Sequence, residues 1–189
     1  MKEVLFVTGN KVKVSLAQTI CNMFGIQVTQ RSYDADELQS LDGELIARDK
    51  ANKAFAHFKQ AVVVCDDIWI IPGLGGFPGP YMQPINVWFT IDDWLRLTKD
   101  LTDRRIILRQ TVVYQDDNVQ QAFAYDIEGE LLREAKGTSP YPHSSITSFD
   151  GGKTSNAEHH EKGGNGADHR RTSWHDFAAW YQDYTKSPN

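Results

Sequence analysis

The sequence predicts an α/β fold built on a long mixed central sheet flanked by helices. Strand-like and helix-like hydrophobic patterns alternate through the first half of the chain, and three strand-like runs separated by turn residues follow in the second. The 189 residues are 40% hydrophobic and 11% aromatic, enough apolar surface for a core and too much for wholesale disorder. A chain of this length is expected to form one domain over residues 1–189.

Each element follows from local pattern. Val4 to Thr8 is a β-type run that ends at Gly9-Asn10, after which Val12, Leu16, Ile20 and Met23 recur at helical spacing until Gly25. Ile26 to Arg31 reads as a second strand. From Asp42 onward, Ile46, Ala47, Ala51, Ala54, Phe55 and Phe58 mark one face of a second helix. Ala61 to Ile71 is a continuous apolar run interrupted only by Asp66-Asp67, and two adjacent carboxylates in a buried-type strand are costly unless paired. A Gly/Pro loop from Pro72 to Pro80 leads into a Trp-bearing helical stretch through Val87, Trp88, Ile91, Trp94 and Leu97. Antiparallel strands are expected at Arg105 to Tyr114, Gln120 to Ile127 and Glu130 to Glu134, with turns at Asp116-Asp117-Asn118 and Glu128-Gly129. Gly137 to Gly166 is polar, rich in Gly and His, without periodicity, and is expected to be a mobile loop that closes on a ligand. Ser173 with Asp176 reads as a capping-box start for a last helix carrying Trp174, Phe177, Ala178 and Tyr181.

Charge and cysteine usage narrow the function classes. With 20 Lys+Arg against 25 Asp+Glu the formal charge is -5, so no broad basic face for a nucleic acid polymer or an anionic membrane is expected. Only Cys21 and Cys65 occur, both in apolar segments, which predicts buried thiols rather than a disulfide framework. The apolar run Val4 to Val7 is too short for a secretory core, and no stretch is long enough to span a bilayer. A soluble cytoplasmic protein is expected.

Several motif matches fail. Gly73-Leu74-Gly75-Gly76-Phe77-Pro78 lacks the third glycine and the strand-turn-helix setting of a dinucleotide loop, and Gly152-Lys153-Thr154 lacks the first glycine of a phosphate loop. His143, His159, His160, His169 and His175 crowd the last third without zinc-ligand spacing.

Three features survive. Thr8-Gly9-Asn10 joins a strand end to a helix start with Lys11 and Lys13 on the first turn, so backbone N–H groups, the positive helix end and an ammonium converge as an anion site; a capped helix with solvated lysines is the alternative. Asp66-Asp67 at a strand end suits Mg²⁺ and an oriented water, or else terminates a strand structurally. Glu158, Glu161, Lys162, His169, Arg170 and Arg171 could clamp a phosphate or a base edge, or form a charged surface loop.

Taken in order, Thr8-Gly9-Asn10-Lys11-Val12-Lys13, Asp36-Glu37-Leu38-Gln39, Glu44 to Lys50-Ala51, Asp66-Asp67 and Leu74-Gly75-Gly76-Phe77-Pro78-Gly79-Pro80-Tyr81 resemble the inosine/xanthosine triphosphate pyrophosphatase family. The resemblance continues through Glu128-Gly129-Glu130-Leu131, Ala157-Glu158, Glu161-Lys162 and His169-Arg170, nearly the whole chain. It implies two lobes with a nucleotide cleft between them, a homodimer, and Mg²⁺-dependent cleavage of a nucleoside triphosphate between the α and β phosphates. It also implies roles. Asp67 would orient or deprotonate the water with Asp66 and Lys13 beside it; Glu37 and Asp67 would hold the metal; Thr8, Gly9, Asn10, Lys13 and Lys50 would bind phosphates, with Lys53 on the same helix as a rival to Lys50; Lys162, His169 and Arg170 would reach the nucleotide.

The chain departs from the family pattern at informative places. Ile68-Trp69-Ile70 follows the Asp pair in place of small residues, and Ser15 stands where a Glu is common. His143 falls where the family places a base-stacking aromatic, and Asp168 precedes His169-Arg170 where the family has Ser. An acidic acceptor at Asp168 favours a donor edge on the base, so an altered or relaxed base preference is expected. The alternatives are the same reaction on a standard or modified deoxynucleoside triphosphate, or a nucleotide-binding protein without turnover.

Overall fold

Strand alternation shows how the centre of the protein is built. In the computed structural model, which describes residues 2–165 and 170–186, Val4 and Phe6 belong to one hydrophobic cluster while Leu5 and Val7 belong to another. Val63 and Cys65 against Val62 and Val64, and Val112 and Tyr114 against Val113, divide the same way. Side chains that alternate with period two and are buried on both sides place these strands in the middle of a sheet covered on both faces.

The elements run β1 (Lys2–Val7), α1 (Lys11–Met23), β2 (Ile26–Arg31), α2 (Gly43–Phe58), β3 (Val62–Ile70), β4 (Pro78–Gly79), α3 (Met82–Trp88), α4 (Ile91–Thr98), β5 (Arg105–Gln115), β6 (Gln120–Leu131), β7 (Thr147–Ser148), α5 (Asn156–Glu161) and α6 (Ser173–Tyr184), with short 3-10 turns at Pro72–Leu74 and Pro142–Ile146. The sheet order is β2-β1-β3-β5-β6-β7, with β4 paired to β3. β1 lies parallel to β2, Lys2 opposite Ile26, and parallel to β3, Leu5 opposite Val62. β5 and β6 are joined by four residues, a connection that only an antiparallel pair allows. The sheet is therefore mixed, as the element pattern predicted.

Contacts divide the chain into two compact units. One comprises Met1–Asp66, Gln110–Tyr125 and Gly166–Asn189; the other comprises Asp67–Arg109 and Asp126–Asn165. In the first unit α1 and α6 cover one sheet face, where Phe6 and Trp174, both fully buried, meet edge to face at 4.8 Å. α2 covers the other face with Ala47, Ala51 and Ala54, small residues that let the helix axis approach the sheet. Cys21 and Cys65 are buried thiols, as expected, and burial pushes the Cys21 thiol up to about 12. In the second unit Ile71, Met82, Ile85, Trp94, Ile106, Leu131 and Ile146 form the core.

Four local expectations are corrected. The Trp-bearing stretch is two helices, because Thr90 caps α4: its Oγ1 accepts from Asp93 N at 3.2 Å while the Asp93 carboxylate accepts from Thr90 N at 2.9 Å. Glu128-Gly129 is no turn, since β6 runs straight through it; Gly129 is there for close approach, because a Cβ would lie 2.5 Å from the Ser148 carbonyl oxygen of β7. α6 is capped at Thr172, one residue earlier than predicted, with His175 Nδ1 accepting from Thr172 N at 3.2 Å.

Residues 137–165 are the fourth correction, for they form a 3-10 turn, β7 and α5 rather than an open loop. Ser144, Ser145, Thr147, Ser148 and Ser155 are buried there. Their hydroxyls supply internal hydrogen bonds, Thr147 Oγ1 to the His143 carbonyl at 2.9 Å and Ser155 Oγ to the Lys136 carbonyl at 2.6 Å. Order that rests on paired polar groups leaves no hydrophobic period to read.

Candidate active site

The start of α1 is shaped by Asn10. Its Oδ1 accepts from Val12 N at 2.9 Å and Lys13 N at 3.3 Å, and its own N–H donates to Thr8 Oγ1 at 3.1 Å. Thr8 is fixed in turn by its N–H on the Arg31 carbonyl at 2.9 Å and by Gln30 Nε2 on its own carbonyl at 2.8 Å. Thr8, Gly9 and Asn10 thus present a capped, solvent-facing helix start with Lys13 one turn in. The Lys13 ammonium reaches β3, donating to the Cys65 carbonyl at 3.1 Å.

The next residue of β3, Asp66, meets a second lysine from a different helix. Lys50 Nζ of α2 lies 3.6 Å from Asp66 Oδ1 and 3.1 Å from Glu37 Oε1. Two helices therefore deliver ammonium groups to consecutive residues in the middle of β3, which runs on to Ile70, so the Asp pair lies inside the strand and not at the strand end expected of it; one of these ammonium groups draws two carboxylates together. Asp67, the next residue of β3, is half-buried like Asp66.

Lys53 lies next to this group with a separate task. Its ammonium donates to the Asp36 carbonyl at 2.6 Å and pairs with Asp49 Oδ2 at 2.7 Å. Of the two lysines left open by the sequence, Lys50 faces the acids of the site and Lys53 faces the backbone beside Glu37. The Lys53 contact was missed as a site feature, although the spacing of Lys50, Lys53 and His57 on one helix face signals it.

In the second unit, His143 does not offer a stacking face. It is 5% exposed, its Nδ1 lies 2.8 Å from Asn86 Oδ1, and Trp69 and Trp94 pack on it at ring-centroid distances of 4.7 and 6.3 Å. Burial pulls its pKa down to about 3, so the ring is neutral. The role expected of it at the base is corrected on this ground: the large apolar neighbours Trp69 and Trp94 claim the ring for the core. Tyr141, two residues earlier, is the solvent-facing aromatic of that segment. Lys162 is exposed and closes α5, its N–H donating to the Glu158 carbonyl at 3.2 Å, while the Glu161 carboxylate accepts from Thr138 N at 2.7 Å. Arg170 is half-buried; Asp168 and His169 lie outside the described residues.

The donor set suits a hard divalent cation. Among the described residues no group of three or more His, Cys, Asp and Glu side chains is gathered as a metal cage. Mg²⁺ does not require one, because it binds through one or two carboxylates and completes its shell with water and phosphate oxygens. Glu37 and Asp66 already converge on a cationic atom, which is the chemistry such an ion needs. Among the described residues no helix is long and apolar enough to cross a membrane.

Comparisons with known proteins fit this arrangement. A protein of Methanosarcina mazei named dITP/XTP pyrophosphatase is 29% identical over 182 residues, 96% of this chain and 98% of the relative. A protein of Saccharolobus solfataricus with the same name is 26% identical over 180 residues, 95% of this chain and 94% of the relative. The solved structure of a HAM1 protein from Coxiella burnetii superposes with a TM-score of 0.78 at 18% identity, covering 97% of this chain and 100% of that one, which establishes the fold. These names agree with the resemblance read from the order of the motifs. With a profile match running from residue 4 to residue 180, the chain belongs to the Ham1 family.

Proposed function

We propose that this protein hydrolyses a nucleoside triphosphate to the monophosphate and pyrophosphate, with a non-standard purine nucleotide such as dITP, ITP or XTP as substrate. The observation that carries the reading is the delivery of Lys13 and Lys50 to the adjacent residues Cys65 and Asp66 of β3, with Glu37 drawn in by Lys50. The names of the relatives from Methanosarcina mazei and Saccharolobus solfataricus support the same chemistry.

In this reading the triphosphate is received by the start of α1, where Thr8, Gly9 and Asn10 orient backbone N–H groups and Lys13 and Lys50 neutralise charge. Glu37 and Asp67 would hold Mg²⁺, which when bound offsets phosphate charge and acidifies water. Asp67 orients the attacking water and takes its proton. The water oxygen bonds to the α phosphorus, the bond from that phosphorus to the bridging oxygen breaks, and pyrophosphate leaves with the electron pair.

Lys162, His169 and Arg170 are proposed to reach the nucleotide. An altered base preference rests on Asp168 alone, since His143 is enclosed. We further propose that residues 1–189 act as one functional domain, that the protein works as a cytoplasmic homodimer, and that it engages neither a nucleic acid polymer nor a membrane. The test is pyrophosphate release from a panel of ribo- and deoxynucleoside triphosphates, including inosine and xanthosine forms, with and without Mg²⁺. Mg²⁺-dependent release ranked by base is expected; no release from any nucleotide would overturn the reading.

A further inference from the structure

The segment from Ser32 to Asp42 has no regular secondary structure, yet it carries Glu37. What holds it is one face of α2. Reading the segment forward and the helix backward, Tyr33 stacks on His57 with ring centroids 4.2 Å apart and planes 18° from parallel, the Asp36 carbonyl accepts from Lys53 at 2.6 Å, and Glu37 meets Lys50 at 3.1 Å. Positions 50, 53 and 57 follow the i, i+3, i+7 spacing that puts side chains in one row along a helix. Tyr33 also meets Phe58 edge to face at 6.1 Å, which closes that end of the row.

The three contacts are chemically different. The Tyr33 stack anchors the entry of the segment but says nothing of where the Glu37 carboxylate stands four residues later. Lys50 touches the carboxylate itself, and any phosphate or metal that engages either partner changes that contact. Lys53 is the one that grips the backbone, on the carbonyl of the residue before Glu37, and it is itself steadied by Asp49 one helical turn earlier. A charge-assisted hydrogen bond to a main-chain carbonyl fixes the peptide plane that leads into Glu37 whether or not the site is filled.

We propose that Lys53 is a positioning residue that sets the Glu37 carboxylate through the Asp36 carbonyl, so that Lys50 can be released to a phosphate without loss of the acid's place. The proposal rests on the reading of Glu37 as a metal-holding group, and two readouts keep the two claims apart.

The full-length protein is compared with Lys53→Met and Lys53→Arg. Without nucleotide or metal, Lys53→Met is expected to lower the NMR backbone order parameters of residues 33–41 from about 0.85 to below about 0.6 while β1, β3 and the helices keep the parent's values, and Lys53→Arg is expected to restore them. In pyrophosphate release, Lys53→Met is expected to raise the Mg²⁺ concentration for half-maximal rate by about tenfold, the usual loss when a hydrogen-bond partner behind a ligating group is removed. The rate at saturating Mg²⁺ should stay within about twofold of the parent, since no group that meets the substrate has changed. Unchanged order parameters in Lys53→Met, an unchanged Mg²⁺ requirement, or a Lys53→Arg variant that behaves like Lys53→Met would each overturn the proposal. If the parent releases no pyrophosphate, the proposed function fails, and the order-parameter comparison still decides what Lys53 does.

Discussion

Lys50 Nζ stands 3.1 Å from Glu37 Oε1, thirteen residues earlier in the chain, with both side chains more than a third exposed to solvent. An ion pair in that setting is screened by water and contributes about 1 kcal/mol or less to stability. Folding therefore gains little from the pair, and the proposed function assigns these charges to the substrate and its metal. Lys50→Met should therefore leave the urea midpoint nearly unchanged and lower kcat/KM for nucleotide by about 100-fold, the scale on which a charge-stabilising donor contributes. Paired urea titration and pyrophosphate-release assays check it.

Asp67→Asn removes the proposed proton acceptor with little change in shape. Pyrophosphate release should fall by about 100- to 10,000-fold, the range of a lost general base. Nucleotide binding measured by calorimetry should persist, because the phosphate-facing groups Lys13 and Lys50 remain. A variant with the parent's rate would remove Asp67 from the mechanism.

The enclosed His143 ties stability to pH. Its folded pKa of about 3 lies below the ordinary 6.5, because burial disfavours the charged ring. Above about pH 6.5 the ring is neutral in both states and has no effect. As pH falls from there toward 3, the unfolded chain takes up a proton that the folded one refuses, so stability is lost at up to about 1.4 kcal/mol per pH unit. Between pH 7 and pH 5 the parent should lose about 2 kcal/mol more than His143→Gln, as read from urea midpoints.

Gly129→Ala tests the close approach of β6 to β7. The added methyl would lie 2.5 Å from the Ser148 carbonyl oxygen and 2.8 Å from the Phe149 ring. Backbone on one side cannot step aside cheaply, so a cost of about 1–3 kcal/mol is expected. Gly151→Ala serves as control for space, with no heavy atom within 4 Å of its built Cβ, although its φ of +72° adds strain of its own.

Much of the fold was legible because it is written in short periods. The Asn10 and Asp42 caps, the αL glycine at Gly25 and the alternation within Val62 to Cys65 are each decided within a few residues, and the helices and strands follow from them. The readings that failed had no such period. Residues 137–165 are ordered by hydroxyls such as Thr147 and Ser155 bonded to carbonyls, and Gly129 mimics a turn residue while serving a distant strand.

For the site, the sequence alone determined which residue types are present and in what order, and that order identified the family. Only the tertiary structure decided their partners. Lys50 and Lys53 differ by three positions on one helix, yet one meets the Glu37 and Asp66 carboxylates while the other meets the Asp36 carbonyl. His143 has the chemistry of a ligand-facing residue and lies instead between Trp69 and Trp94. The physical reason is range: propensity, capping and periodicity act over a few residues, whereas burial and charge pairing depend on groups that only the folded chain brings together.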